Sequence, residues 1–364
     1  MATSLHETVQ ARPLPPWPLL GQERPVALLQ GAIARDGVSH AYLFVGAAQS
    51  GRATLARAFA QTLNCETAPT SGGPPLAPCG LCRSCRKIER GLHPDVRVVG
   101  LATQEATSAK NRRESKNTSL SIDTIRDLCA DLSLRPLEGR WRVAIVEDAE
   151  TMREDAANAF LKTLEEPPPF AVLILLMPDA GATLTTIRSR CQVIETQPVA
   201  REALAQTLTA RYNVSPAQAR TLAALARGRV GWAIAASAQP DFFAGRQAAF
   251  DTMLGLLQGP AYDFFPAVDR WVDQFKRGRR DEVFADLDAW LGLWRDLLLM
   301  RSGCADLILN VDYADQLQAQ AARYTLDRLR DAIAATRDGV RWLDENVAPR
   351  TALEAMVLRW QEDR

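Results

Sequence analysis

Apolar residues run unbroken through Ala41–Val45 and Ala171–Met177, and nearly so through Trp141–Val146. Runs of this length without polar alternation predict strands covered on both faces, as in a parallel sheet. Shorter strands are predicted at Val96–Val99 and Gln192–Glu195. Between these segments the period changes to that of a helix. Val26, Leu29 and Ile33 share one face, as do Leu55, Phe59 and Leu63, and Ile122, Ile125, Cys129 and Leu132. Ser121 or Asp123 caps the last of these. Met152 to Leu164 also reads as one helix, stopped by Pro167-Pro168-Pro169. Strands alternating with helices predict an α/β domain with a mostly parallel sheet.

After Pro198 the strand signals stop. Residues 199–240 read as a small helical unit, and 241–364 as a larger one with Trp271, Trp290, Trp294, Trp342 and Trp360. The α/β part is expected to span 17–198. Residues 1–16, polar and Pro-containing with no apolar core, read as a flexible lead-in rather than a signal peptide. Thr67 to Pro78 has loop composition, and 102–120, with Lys110, Arg112, Arg113 and Lys116, reads as a long mobile loop.

Composition adds bounds. The chain has 364 residues, 47% hydrophobic and 24% charged, with 43 basic and 43 acidic side chains. Two or three globular domains fit this length. The balanced charge gives no global pull toward nucleic acid. No apolar run approaches the ~20 residues of a membrane span. Seven cysteines, an odd number, point to thiols and metal ligands and to a cytoplasmic setting.

Three of those cysteines stand as Cys79-x2-Cys82-x2-Cys85, with Cys65 upstream. Four thiolates suit a tetrahedral zinc ion, and Cys-x2-Cys spacing brings two sulfurs to one metal. An iron–sulfur cluster or incidental buried thiols are the alternatives, though the spacing lacks a following cysteine and proline. With no open coordination position evident, the zinc is expected to be structural. Cys129, Cys191 and Cys304 are expected in the core.

The stretch Gly46 to Thr54 follows the first strand and opens a helix, where a phosphate-binding loop sits. The spacing Gly46-x4-Gly51 fits. Arg52 and Ala53 stand where Lys and Ser or Thr belong. Arg52 is not an equivalent of Lys, and Ala53 has no hydroxyl for Mg²⁺. Thr54 has one, but lies ~100° round the helix. A plain glycine turn is the competing reading. Glu147-Asp148 end an apolar strand where metal-binding and water-orienting acids would stand; a solvated acidic turn is the alternative. Arg188-Ser189-Arg190-Cys191 follows a short helix. Arg190 is either a surface arginine or one presented to phosphates on a neighbouring subunit.

At Ala157-Asn158-Ala159-Phe160-Leu161-Lys162-Thr163-Leu164-Glu165-Glu166-Pro167-Pro168 the sequence resembles the bacterial clamp-loader subunits of the AAA+ class. Ser189-Arg190-Cys191 resembles the family's arginine-finger motif. Gly21-Gln22-Glu23 and His40 to Gly46 resemble its N-terminal boxes, and Asn346 to Arg350 with Leu353-Glu354 its last collar helix. The resemblance implies an α/β AAA+ P-loop module with an inserted zinc module at 65–90, a helical lid and an all-α collar that closes a ring. Its metal would be structural Zn²⁺ on Cys65, Cys79, Cys82 and Cys85. Within this family, Arg52, Ala53, Met177-Pro178 and Trp232 depart from the ATP-hydrolysing subunits. The resemblance therefore implies a non-hydrolysing member of the DNA polymerase III holoenzyme, with no productive ATP/Mg²⁺ at Gly46, Gly51, Arg52, Ala53, Thr54, Glu147 and Asp148. Arg190, with Ser189, would serve a neighbouring γ/τ subunit. Its partners would be γ/τ and δ subunits, a sliding clamp and primed DNA, in a hetero-oligomer. The rival classes are an ATP-hydrolysing subunit that tolerates Arg52, and a separate zinc module that binds DNA.

Overall fold

The computed structural model describes residues 17–67, 74–104, 119–179, 181 and 185–361. The expected lead-in at 1–16, most of the basic loop at 102–120 and the middle of the proline-rich loop lie outside them. Five strands form one sheet: β1 (Ala41–Val45), β2 (Val96–Val99), β3 (Arg142–Val146), β4 (Ala171–Met177) and β5 (Gln192–Glu195). Their order is β2-β3-β4-β1-β5, every pair parallel. The three inner strands are buried at every position, which explains the unbroken apolar runs of β1 and β4 and that of β3 after Arg142. The edge strands are partly exposed and carry polar residues.

Two layers cover the sheet. On one face Tyr42, Phe44, Val143, Ile145, Ile174 and Leu176 pack with Leu29 and Ile33 of α1 (Glu23–Ala34) and Leu55 and Phe59 of α2 (Arg52–Leu63). This layer also takes Ile88 of α3 (Arg83–Glu89). On the other face Leu43, Val45, Ala144, Val146, Leu173 and Leu175 meet α4 (Ile122–Leu132), α5 (Glu154–Ala159) and α6 (Leu161–Glu165). The alternation of side chains along a strand sends neighbouring residues to opposite layers.

Three local expectations change. The buried residues of α4 are Ile125, Leu128 and Leu132, while Ile122 and Cys129 are half-buried. Its N-cap is Ser121, whose Oγ accepts the Thr124 N–H. The single helix expected over 152–164 starts at Glu154 and is divided at Phe160. Phe160 is fully buried, and its N–H bonds to Ala157 three residues back, which tightens the turn. Cys129, Cys191 and Cys304 are half-buried rather than core residues.

After α7 (Thr185–Arg188) and β5 the described residues are helical: α8 (Arg201–Tyr212), α9 (Pro216–Ala226), α10 (Val230–Ser237), α11 (Phe242–Gln258), α12 (Phe265–Lys276), α13 (Arg280–Arg301), α14 (Ala314–Ala321), α15 (Leu326–Asp344) and α16 (Pro349–Gln361). The chain divides into two compact units, one running through Thr207 with Arg227–Trp232, the other holding Leu208–Ala226 and everything from Ala233. The core of the second unit centres on Phe264, Trp290, Trp294 and Trp360, whose rings lie 4.7 to 6.1 Å apart. Gly339 lets α15 and α16 approach: a Cβ there would sit 2.7 Å from the Met356 sulfur.

Candidate functional site

The turn from Gly46 to Gly51 joins β1 to α2. Gly51 has φ +104° and Gly46 φ +153°. A side chain at Gly46 would put its Cβ 2.0 Å from Thr196 Oγ1, so the turn needs glycine there. Two of its polar groups are bonded to residues outside it. Ser50 Oγ and Thr196 Oγ1 are hydrogen-bonded at 2.8 Å, both buried, and Thr196 also donates to the Val45 carbonyl. The Gln49 carbonyl accepts the Gly231 N–H at 3.0 Å, which brings the start of α10 onto the turn.

Arg52 and Ala53 form the first turn of α2 and are half-buried, as is Thr54. Burial lowers the Arg52 pKa, with Glu150 and Asp148 acting against that. One guanidinium nitrogen of Arg52, Nη1, is buried with no hydrogen-bond partner among the described residues. Glu147 and Asp148 follow β3. Burial raises the Glu147 carboxyl pKa, partly offset by Arg57. Asp148 takes φ +53°, and its carboxylate accepts the Leu101 N–H at 3.2 Å. A side chain at Gly100 would meet Glu147 Cβ at 3.0 Å. The acidic pair is thus built into a tight backbone junction. Met177, at the end of β4, is buried, and its carbonyl accepts the Gly46 N–H. Trp232 lies under the Arg229 guanidinium, 5.6 Å from the ring centroid.

Arg190 stands elsewhere on this unit, just after α7. Its side chain is 36% exposed. Nη2 donates to Glu165 Oε1 at 2.8 Å and Nη1 to the Thr186 carbonyl at 2.9 Å. Ser189 Oγ donates to the same carbonyl.

The cysteines converge. The sulfurs of Cys65, Cys79, Cys82 and Cys85 all lie within 4.8 Å of one another. Backbone N–H groups are aimed at them: Leu81 and Cys82 at Cys79 Sγ, and Cys85 at Cys82 Sγ. Burial alone would raise the Cys79 pKa; donors from Thr67, Cys82 and Leu81 outweigh it and bring the thiol to about 6. Such a set can hold a metal ion by four thiolates. Cys82 also caps α3, so the cluster and the helix form together.

Sequence reasoning passed over the residues that seat α3 on the sheet. Ser84 Oγ lies 2.9 Å from His93 Nε2, and His93 Nδ1 accepts the Asp95 N–H. With Nδ1 an acceptor, Nε2 carries the proton and donates to Ser84. The pair therefore cannot activate a nucleophile; it is a buried structural contact. Asp95 is 1% exposed and takes N–H bonds from Leu137, Glu138 and Gly139 and one from Arg142 Nη1, all at 2.7 to 3.0 Å. Nothing in the sequence marks Asp95 or Thr196, and Ser50 and Glu165 stand in the glycine turn and the Ala157–Pro168 run with no sign of their partners, because each finds its partner only through the fold.

The family described as DNA polymerase III, delta subunit, matches residues 21–200. The delta' subunit of DNA polymerase III from Bacillus subtilis is 30% identical over 94% of this chain and 96% of its own length. The tau subunit from Escherichia coli is 32% identical over 48% of this chain, which covers 24% of that longer protein. A gamma subunit-related protein from Thermotoga maritima shares 16% identity over 93% of this chain and all of its own, at a TM-score of 0.36. The match to the Bacillus subtilis subunit runs nearly end to end in both proteins, so the chain belongs to the delta' family of DNA polymerase III subunits.

Proposed function

We propose that this chain is a non-hydrolysing subunit of the DNA polymerase III clamp loader, acting on a neighbour's ATP rather than on its own. The observation that carries this reading is a contrast within one unit. The glycine turn is tied by Ser50 to Thr196 and by Gln49 to Gly231, while Arg190 stays half-exposed next to Ser189. Arg52 and Ala53 offer neither the ammonium nor the hydroxyl that would hold a triphosphate with Mg²⁺. Arg190 is the arginine finger in this reading, presented to a γ/τ-type subunit beside it.

Zn²⁺ would be held by Cys65, Cys79, Cys82 and Cys85 and would fix the module at 65–90. No catalytic step needs it. Residues 17–198 would be the AAA+ module, 199–240 its lid and 241–364 a collar that joins the ring. The partners in this reading are γ/τ and δ subunits, with the sliding clamp and primed DNA reached through the assembled loader in the cytoplasm.

The test is reconstitution with the partner subunits. Arg190→Ala is expected to leave complex mass unchanged and to lower DNA- and clamp-stimulated ATPase by an order of magnitude or more. An unchanged rate would sink the reading. One observation favours a rival, an ATP-hydrolysing subunit: Gly51 keeps the left-handed turn before α2, and Glu147-Asp148 directly follow β3. Tight Mg²⁺-ATP binding with turnover by the isolated chain would favour that rival.

A further inference from the structure

Arg190 is a long side chain with many rotamers, and a finger that must meet a phosphate across an interface loses entropy on doing so. Its surroundings already restrict it. Ile187, fully buried, fixes α7, and the Arg190 N–H bonds to the Ile187 carbonyl at 3.0 Å. On the facing element, buried Leu164 fixes α6, and Glu165 is its last residue before Glu166 leaves helical geometry and Pro167 follows. The two charged residues, 25 apart in sequence, are therefore carried on anchored backbone.

We propose that Glu165 is the positioning residue of Arg190, an assignment that rests on the finger reading given above. The Thr186 carbonyl takes Nη1 and the Glu165 carboxylate takes Nη2. One acceptor would leave the guanidinium free to turn; two acceptors on different nitrogens set its plane. Arg190 has five N–H groups, and the contacts to Thr186, Glu165 and, at 3.5 Å, Ser189 leave at least two for a phosphate. Glu165 is 53% exposed, so it holds the fork without a large desolvation cost. A pair this exposed contributes little to folding stability. Its effect falls on orientation.

The experiment uses the full chain assembled with tau and delta subunits. Stimulated ATPase is measured against ATP concentration for wild type, Glu165→Ala, Glu165→Gln, Arg190→Ala and the Glu165→Ala/Arg190→Ala double variant, with complex mass as the assembly control. Glu165→Ala is expected to lower kcat about threefold to fivefold with KM unchanged. Glu165→Gln, which keeps the acceptor oxygen, restores most of the rate. In the Arg190→Ala background Glu165→Ala has no further effect. A wild-type rate in Glu165→Ala while Arg190→Ala is impaired would overturn the positioning role and leave the finger reading standing. A raised rate, showing that Glu165 restrains Arg190, or an additive loss in the double variant, would overturn it equally. A wild-type rate in Arg190→Ala would take down both.

Discussion

Ser50 Oγ and Thr196 Oγ1 lie 2.8 Å apart, 146 residues distant in the chain, and both are buried. This contact turns the glycine loop into an internal joint between β1, α2 and the end of β5. Thr196→Val keeps the shape and leaves Ser50 Oγ without its partner. It is expected to destabilise the chain by about 1–3 kcal/mol. Ser50→Ala in the same background should cost less than it does alone, because the orphaned hydroxyl is then gone. Urea unfolding of the two single variants and the double variant measures the coupling.

Gly46→Ala tests the same joint sterically. Its Cβ would meet Thr196 Oγ1 at 2.0 Å and the Thr196 carbonyl at 3.2 Å. The first contact is with a side chain that can move, the second with backbone that cannot move freely. A loss of about 1–3 kcal/mol is expected, with partial rescue by Thr196→Ala. Full rescue would show that the backbone contact is harmless.

Asp95 carries a pH dependence. Burial by itself would raise its pKa, but the N–H groups of Leu137, Gly139 and Glu138 more than compensate and hold it below the ordinary carboxylate value. A depressed folded-state pKa means stability that is complete above the unfolded value, ~4, and lost as pH falls through the folded value. Wild type should weaken in that acidic window, and Asp95→Asn should lose this part of the dependence. Asp95→Ala strands three N–H groups and one arm of Arg142 and should cost about 3–5 kcal/mol near neutral pH. Melting curves across the acidic range decide both points.

Metal removal should act locally. α3 is held by the cysteine cluster through Cys82 and Cys85, and by Gln61 Nε2 donating to the Cys85 carbonyl. A thiol-reactive reagent should release one zinc and collapse amide protection in 83–89, while β1 and β4 keep theirs. Elemental analysis with hydrogen exchange checks this. Iron, or no metal, would contradict the zinc assignment.

Trp360 anchors the second unit. It is buried against Phe264, Trp290 and Trp294, and its Nε1 donates to Thr336 Oγ1 at 3.0 Å. Trp360→Ala should cost about 3–5 kcal/mol and Trp360→Phe less. Denaturant unfolding checks this, followed by tryptophan fluorescence, to which Trp271, Trp290, Trp294 and Trp342 of this unit contribute beside Trp17, Trp141 and Trp232 of the other.

The elements were legible where one local rule applied. Unbroken apolar runs marked β1 and β4 to the residue, because a strand covered on both faces has no polar positions. The helix over 152–164 was misread at Phe160, since periodicity alone does not show a turn tightened by a ring entering the core. Cys129 was placed on the buried face of α4 where Leu128 lies, because thiols at helical spacing pass for core residues. Within the candidate sites, the glycine spacing, the four cysteines and the Ser189-Arg190 pair were visible as patterns. Their partners were not.

By itself the sequence determined the strand–helix alternation, the departure of Arg52 and Ala53 from a nucleotide-binding loop, and a set of four thiols suited to one metal. These follow from side-chain chemistry and short spacing, which are written along the chain. Only the tertiary structure decided that Ser50 closes the loop on Thr196, that Gly231 seats on Gln49, that Asp95 gathers the 137–139 backbone and that Glu165 holds Arg190. Each joins residues far apart in sequence through a hydrogen bond with no preferred spacing. Such a bond leaves no period to read, and it exists only once the packed core has brought both ends together.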